Sequence, residues 1–374
     1  MTADGGRDLN RPVLQIQNLS VDYGMGDEPV HAVDGVDLTI HRGEVLGLAG
    51  ESGSGKSTLA YAVTRLLRDP GVIVDGDAFF YHYPKDGGQP IKVDLLSSDK
   101  DVVRSVRWSE IAVVFQSALH ALNPVLRVGT LLDDVLKAHN SQMTRRQRRA
   151  RSIELLEMVG ISGDRLGSYP HELSGGMRQR VMIAIAIALH PQLLIMDEPT
   201  TALDVVIQRE ILEELMQLRE RLGFSVLFIT HDLSLLIEIA DTIAVMYAGK
   251  LVERAPARAL FHAPRHPYTY GLVNSFPSLH GEQRQMTGIK GSPPDLRHVP
   301  SGCPFHPRCA HAMPECVTTT PPLIQVEDET GRRDVSCWLH DGRHSVPVEL
   351  GISPSEAALS PGRVTAPALE DGEL

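Results

Sequence analysis

The run Val45-Leu46-Gly47-Leu48-Ala49-Gly50-Glu51-Ser52-Gly53-Ser54-Gly55-Lys56-Ser57-Thr58 decides the fold. Its first five residues predict a buried strand, the pattern from Leu59 to Leu67 predicts a helix, and a glycine-rich loop joins them. Glycines let the backbone turn tightly, so that successive N–H groups face one point, and the helix start adds a potential favouring an anion. Gly50, Glu51, Ser52, Gly53, Ser54, Gly55, Lys56, Ser57 and Thr58 together predict a cradle for a nucleoside triphosphate. In it Lys56 bridges the β- and γ-phosphates and the Ser57 hydroxyl ligates Mg²⁺.

Strand, loop and helix in this order predict an α/β domain. Short apolar runs alternate with helical patterns from about Val13 to His262, as at Val45–Ala49, Leu193–Met196 and Val226–Thr230, which predicts a mainly parallel sheet. The 374 residues allow about two and a half domains at roughly 150 residues each. Of the 25 prolines, 15 fall between Pro264 and Pro367, and they mark the main boundary. The expected organisation is a disordered tail over 1–12, the α/β domain over 13–262, a small Cys/Pro-rich extension over 263–341 and a flexible tail over 342–374.

With 42% hydrophobic and 22% charged residues, the chain is no disordered polymer. A net charge of −11 argues against nucleic acid as a partner. The apolar runs are too short to cross a bilayer, and Met1 to Asn10 lacks a signal-peptide core, so a cytoplasmic protein is expected.

A second constellation is Leu193-Leu194-Ile195-Met196-Asp197-Glu198, a buried-strand pattern ending in two carboxylates that alternation points in different directions. Asp197 is placed to hold the magnesium and Glu198 to orient or deprotonate an attacking water, which makes hydrolysis of ATP the expected reaction. A third is Leu173-Ser174-Gly175-Gly176-Met177-Arg178-Gln179-Arg180, where Ser174 reads as an N-cap and the two glycines expose a second helix N-terminus. One nucleotide needs one cradle, so a second predicts that each ATP lies between the loop of one subunit and this helix start of another. Between these motifs, Ser141 to Gly160 predicts a helix capped by Thr144. Five of its residues from Arg145 to Arg151 are arginine, which reads as a solvated face, with lipid head groups or an acidic partner as the alternative.

In order and content, the motifs from Val13 to Arg254 resemble the ATP-binding-cassette (ABC) family. The resemblance implies a P-loop NTPase fold: a RecA-like core, an antiparallel β subdomain and a helical signature subdomain at about 117–180. It puts Tyr23 on the adenine, and Gln116, in Val113-Val114-Phe115-Gln116, on Mg²⁺ and water as the switch glutamine. It puts His231 on the γ-phosphate and Asp204, in Ala202-Leu203-Asp204, in a dimer-crossing loop, so that Ser174, Gly175, Gly176 and Asp204 would serve the partner's nucleotide.

More narrowly, Tyr169-Pro170-His171-Glu172-Leu173, Glu198-Pro199-Thr200-Thr201-Ala202-Leu203-Asp204-Val205 and His266-Pro267-Tyr268-Thr269 are similar to the D-type ATPase subunit of bacterial oligopeptide and dipeptide importers. This implies transport-coupled ATP hydrolysis at the cytoplasmic face of the membrane. The implied partners are an F-type ATPase subunit in a heterodimer, two permeases and an external substrate-binding protein. The stretches Phe79 to Val93 and Ser117 to Pro124 depart from that pattern, and relatives of the group also import oligosaccharides or nickel complexes, so the cargo stays open. A DNA-repair ATPase with a metal-binding module is the alternative of another class, disfavoured by the acidic composition and the lack of a long coiled-coil insertion.

Cys303, Cys309, Cys316 and Cys337 are the only cysteines. Their spacing holds no Cys-x-x-Cys knuckle, which favours a cluster on four thiolates over zinc, although His306 and His311 keep zinc open, as are unliganded thiols. The resemblance adds that Gly302-Cys303-Pro304-Phe305-His306-Pro307-Arg308-Cys309 matches a segment of peptide importers that can carry a [4Fe–4S] cluster.

Overall fold

The computed structural model describes residues 8–24, 28–84, 87–115, 122–139, 142–200, 203–275, 288–328, 331–347 and 350. Two sheets carry the chain. The first is antiparallel, of order β2-β1-β4-β5, and contains β1 (Asp8–Tyr23), β2 (Val30–Arg42), β4 (Gly71–His82) and β5 (Ile91–Asp94). The second starts from β3 (Val45–Ala49) and adds β6 (Ile111–Val114), β7 (Leu193–Asp197), β8 (Ser225–Ile229), β9 (Thr242–Tyr247), β10 (Lys250–Pro256), β11 (Ile324–Asp328) and β12 (Gly331–Val335). Its order is β11-β12-β10-β9-β3-β8-β7-β6, and β9, β3, β8, β7 and β6 run parallel. Every residue of β3, β7 and β8 is buried, as expected of strands in a parallel sheet covered on both faces. Their carboxyl ends, at Ala49, Asp197 and Ile229, come out side by side, which is where an open α/β sheet binds ligands.

The helices are α1 (Lys56–Val63), α2 (Lys100–Val106), α3 (Val128–His139), α4 (Arg145–Met158), α5 (Gly175–Ala186), α6 (Val205–Leu222), α7 (Leu233–Ile239), α8 (Ala257–His262), α9 (Pro267–Asn274) and α10 (Pro314–Thr318). Helices α3, α4 and α5 follow one another between β6 and β7. Thr144 caps α4 as expected: its hydroxyl accepts the Gln147 N–H, while Gln147 Oε1 accepts the Thr144 N–H at 2.8 Å. Arg148 pairs with Asp133 at 2.6 Å and Arg151 with Glu154 at 2.8 Å, while Arg145, Arg146 and Arg149 are exposed. Helix α1 stops short of Leu67 because the Thr64 hydroxyl donates back to the Ala60 carbonyl at 2.7 Å and Arg65 turns left-handed at φ 51°.

Two expected boundaries are corrected. Residues 8–12 are strand and not tail, since Asp8 pairs with Arg42 and Pro12 with His41. Within the extension, β12 pairs with β10 (Glu253 opposite Val335, Arg254 opposite Asp334) and lengthens the central sheet. Arg333 on β12 is 1% exposed and donates to the carbonyls of Ala263 at 2.6 Å and Ala259 at 3.3 Å. Nor is the chain loose from residue 342: Leu350 is fully buried against Val335, Cys337 and Leu339, and its carbonyl accepts from Arg265 at 3.1 Å. Residues 351–374 lie outside the described residues.

Candidate nucleotide site

Backbone geometry in the loop from Gly50 to Gly55 demands glycine at two places. Gly50 has φ 148° and an added Cβ would meet the Met246 carbonyl oxygen at 2.3 Å; Gly55 has φ 99° and its Cβ would meet the Ala32 carbonyl oxygen at 2.1 Å. Lys56, the first residue of α1, is buried, and its Nζ donates to Gly50 O at 2.8 Å, Glu51 O at 2.9 Å and Ser54 Oγ at 3.2 Å. Burial lowers its pKa, opposed by the charges of Glu198, Asp197 and Glu51.

The two carboxylates ending β7 sit opposite this lysine. Asp197 is 1% exposed; its Oδ1 accepts the Ser57 hydroxyl at 2.9 Å, and its Oδ2 is buried with no hydrogen-bond partner. Burial raises the Asp197 pKa, the Ser57 hydrogen bond lowers it and the neighbouring Glu198 charge raises it further. An orphaned carboxylate oxygen beside a serine hydroxyl fits Mg²⁺, which takes one or two protein oxygens and completes its shell with water and phosphate. Glu198 follows in a left-handed conformation at φ 44°, held by its N–H to Ile229 O at 2.9 Å, and its Oε1 lies 3.2 Å from His231 Nδ1. Such strain re-aims a side chain at the end of a strand. Lys56, Ser57, Asp197, Glu198 and His231 are thus brought together.

Tyr23 closes β1 opposite Val30 and Gly71, and a Cβ on Gly71 would come within 2.8 Å of the Tyr23 ring. Ser174 caps α5 by accepting the Met177 N–H at 3.2 Å. Behind it, a Cβ on Gly176 would meet Ile207 at 2.6 Å, so the glycine lets α5 and α6 approach. Asp204 caps α6 through the Ile207 N–H at 3.0 Å, which brings Ser174, Gly175, Gly176 and Asp204 onto one region. Gln116, Thr201 and Ala202 lie outside the described residues.

Comparison with known proteins fits this geometry. The ABC transporter family profile matches residues 33–201, and the profile of the oligopeptide/dipeptide transporter C-terminal region matches 252–316. The oligopeptide transport ATP-binding protein AppD of Bacillus subtilis is 43% identical over 335 residues, 88% of this chain and 97% of AppD. The chain belongs to the ATP-binding-cassette family. The cassette is also 40% identical to the oligopeptide transport ATP-binding protein OppD of Bacillus subtilis, over 87% of this chain and 88% of OppD. Among solved structures, the cassette MJ0796, dimeric in a post-hydrolysis state with ADP and Pi, is similar with a TM-score of 0.56 and 28% identity, over 66% of this chain and 99% of that one. The cassette cbiO1 of Clostridium perfringens gives a TM-score of 0.55 at 28% identity, over 67% of this chain and 91% of its own. No helix among the described residues is long and apolar enough to cross a membrane.

The structure adds two residues to the cassette's loop that the sequence did not single out. Tyr268 Oη accepts the Glu51 N–H at 2.8 Å, and Arg308 pairs with the Glu51 carboxylate through Nη1 at 2.7 Å and Nη2 at 3.0 Å. Both lie inside quoted stretches, His266 to Thr269 and Gly302 to Cys309, but nothing in the sequence ties them to residue 51. The four cysteines are free and line one pocket with His306 and His311. Burial pushes the Cys303 thiol up to about 11 and the Cys337 thiol up to about 12. Among the described residues no group of three or more His, Cys, Asp or Glu could hold a metal ion. His306 Nδ1 lies 2.9 Å from the Cys303 carbonyl oxygen.

Proposed function

We propose that this cassette is the D-type ATPase subunit of a peptide importer and powers uptake of oligopeptides or dipeptides. The observation that carries the reading is the C-terminal region, matched at 252–316 by the oligopeptide/dipeptide profile and following the cassette matched at 33–201. AppD and OppD, similar over nearly their whole length, are oligopeptide transport ATP-binding proteins. Lys56 and the N–H groups of the loop from Gly50 to Thr58 hold the phosphates, and Tyr23 stacks on the adenine. Ser57, Asp197 and Gln116 hold Mg²⁺, which when bound neutralises charge gathering on the phosphate oxygens. Glu198 accepts a proton from the attacking water, and His231 orients Glu198 and reaches the γ-phosphate.

Ser174, Gly175, Gly176 and Asp204 complete the site of the partner subunit. Val205 and Val206, 80% and 68% exposed directly after Asp204, support a face that closes on another chain. That chain is an F-type cassette, and the pair works at the cytoplasmic face beneath two permeases fed by an external substrate-binding protein. Reconstitution of these partners in vesicles tests the cargo. ATP-dependent accumulation of peptides is expected; accumulation of oligosaccharides or nickel complexes with peptides excluded would overturn it.

The proposal extends to a structural [4Fe–4S] cluster on Cys303, Cys309, Cys316 and Cys337. A single ion requires all its donors at one point, whereas a cluster offers each thiolate its own iron. Support comes from four free thiols lining one pocket and from the His311 N–H donated to Cys309 Sγ at 3.4 Å. Chain purified without oxygen should contain about four irons and four acid-labile sulfides per molecule. Iron-free chain that still folds with its C-terminal region intact would contradict the cluster.

A further inference from the structure

We propose that Arg308 and Tyr268 are positioning residues for the phosphate loop, through which the C-terminal extension sets the affinity of the cassette for ATP. Glu51 is the second residue of the loop, and both of its polar ends are held from outside the nucleotide domain. Its N–H donates to Tyr268 Oη and its carboxylate takes the fork of Arg308.

Arg308 is no loose surface cation. Its side chain is 6% exposed, and it donates further to Lys290 O at 2.9 Å, Gly291 O at 3.3 Å and Tyr247 Oη at 3.3 Å. Its guanidinium lies over the rings of Tyr247 and Phe305, which pack with Tyr268 at centroid distances of 4.6–5.4 Å. A bidentate, partly desolvated guanidinium–carboxylate pair fixes geometry as well as charge. A second backbone link, His31 N–H to Leu296 O at 3.2 Å, ties the same extension to the start of β2.

The electrostatics give the contact its consequence. Glu51 is one of three carboxylates whose charge reaches Lys56, the loop's own phosphate ligand. Left unpaired, that carboxylate would compete with the phosphates for Lys56 and repel the incoming anion. Arg308 neutralises it and draws it into the extension, while Tyr268 fixes the peptide plane from which the following loop residues turn.

The test is the dissociation constant for a fluorescent ATP analogue with Mg²⁺, measured on the full-length chain. Arg308→Gln is expected to weaken binding about 10-fold, or about 1.4 kcal/mol. The double variant Glu51→Gln with Arg308→Gln is expected to regain most of that loss, because no bare carboxylate remains. Tyr268→Phe is expected to weaken binding about 3-fold. In the assembled transporter the Arg308→Gln loss is expected in KM for ATP more than in kcat. Arg343→Gln, which breaks ion pairs with Asp341 and Glu315 in the same extension, is expected to leave affinity unchanged. Affinity of Arg308→Gln within twofold of the parent, equal losses in Arg308→Gln and Arg343→Gln, or strictly additive losses at 51 and 308 would each overturn the proposal. Should Arg308→Gln not fold, Arg308→Lys keeps the charge without the fork: intermediate affinity supports the proposal and unchanged affinity overturns it.

Discussion

Glu198→Gln is expected to leave ATP binding intact and to slow hydrolysis by about 10²–10⁴-fold, the usual contribution of a positioned general base. That corresponds to about 3–5 kcal/mol of lost transition-state stabilisation. The carboxylate is aimed with care: a left-handed backbone at φ 44°, an N–H anchored on Ile229 O and a histidine 3.2 Å from Oε1 leave it one working direction. Glutamine preserves the shape and hydrogen-bonding reach but takes no proton from water. ATP should then accumulate uncleaved and hold two cassettes together, detectable as an ATP-dependent dimer by sedimentation. Single-turnover hydrolysis within tenfold of the parent would remove Glu198 from the role of base.

Lys56→Ala is expected to fail one step earlier, weakening ATP binding by about 100-fold or more, as loss of charge-assisted contacts to two phosphates requires. Lys56 Nζ donates to Gly50 O, Glu51 O and Ser54 Oγ, so the cation is held inside the loop that gathers the phosphates. Truncation removes the cation and also frees the loop carbonyls it gathers. Equilibrium titration with nucleotide separates the two variants. Glu198→Gln should bind and not turn over, whereas Lys56→Ala should do neither at ATP concentrations that saturate the parent.

The parts of the site that are local in sequence are legible in it. Loop, strand end and N-cap each rest on residues within about ten positions, so glycine placement, the pair Asp197-Glu198 and the Ser174 cap carry their own physical signals. Tyr23, Gln116, His231 and Asp204 are common residue types and became candidates only through resemblance. Contacts between distant segments left no such signal. Glu51 meets Tyr268 across 217 residues and Arg308 across 257, and no spacing rule connects them.

Strand β12, Gly331-Arg332-Arg333-Asp334-Val335, carries three charged residues in five, yet Arg333 is buried because two backbone carbonyls of the α8 region satisfy its guanidinium. Leu350 is one apolar residue in a Pro/Ser/acidic context, so its place in the small core with Val335 and Leu339 emerges only in three dimensions. The extension therefore depends on the cassette's own sheet, and not on its cysteines alone, for its fold.

The central claim is that one chain supplies only half of each catalytic site and that closure on a second cassette, coupled to the permeases, completes it. The direct measurement is the ATP hydrolysis rate per chain, followed from dilute to concentrated protein and then with the partner cassette and permeases added. A composite site predicts slow hydrolysis by the dilute chain and a steep rise on assembly. A full rate in the dilute monomer, unchanged by partner or permeases, would contradict it.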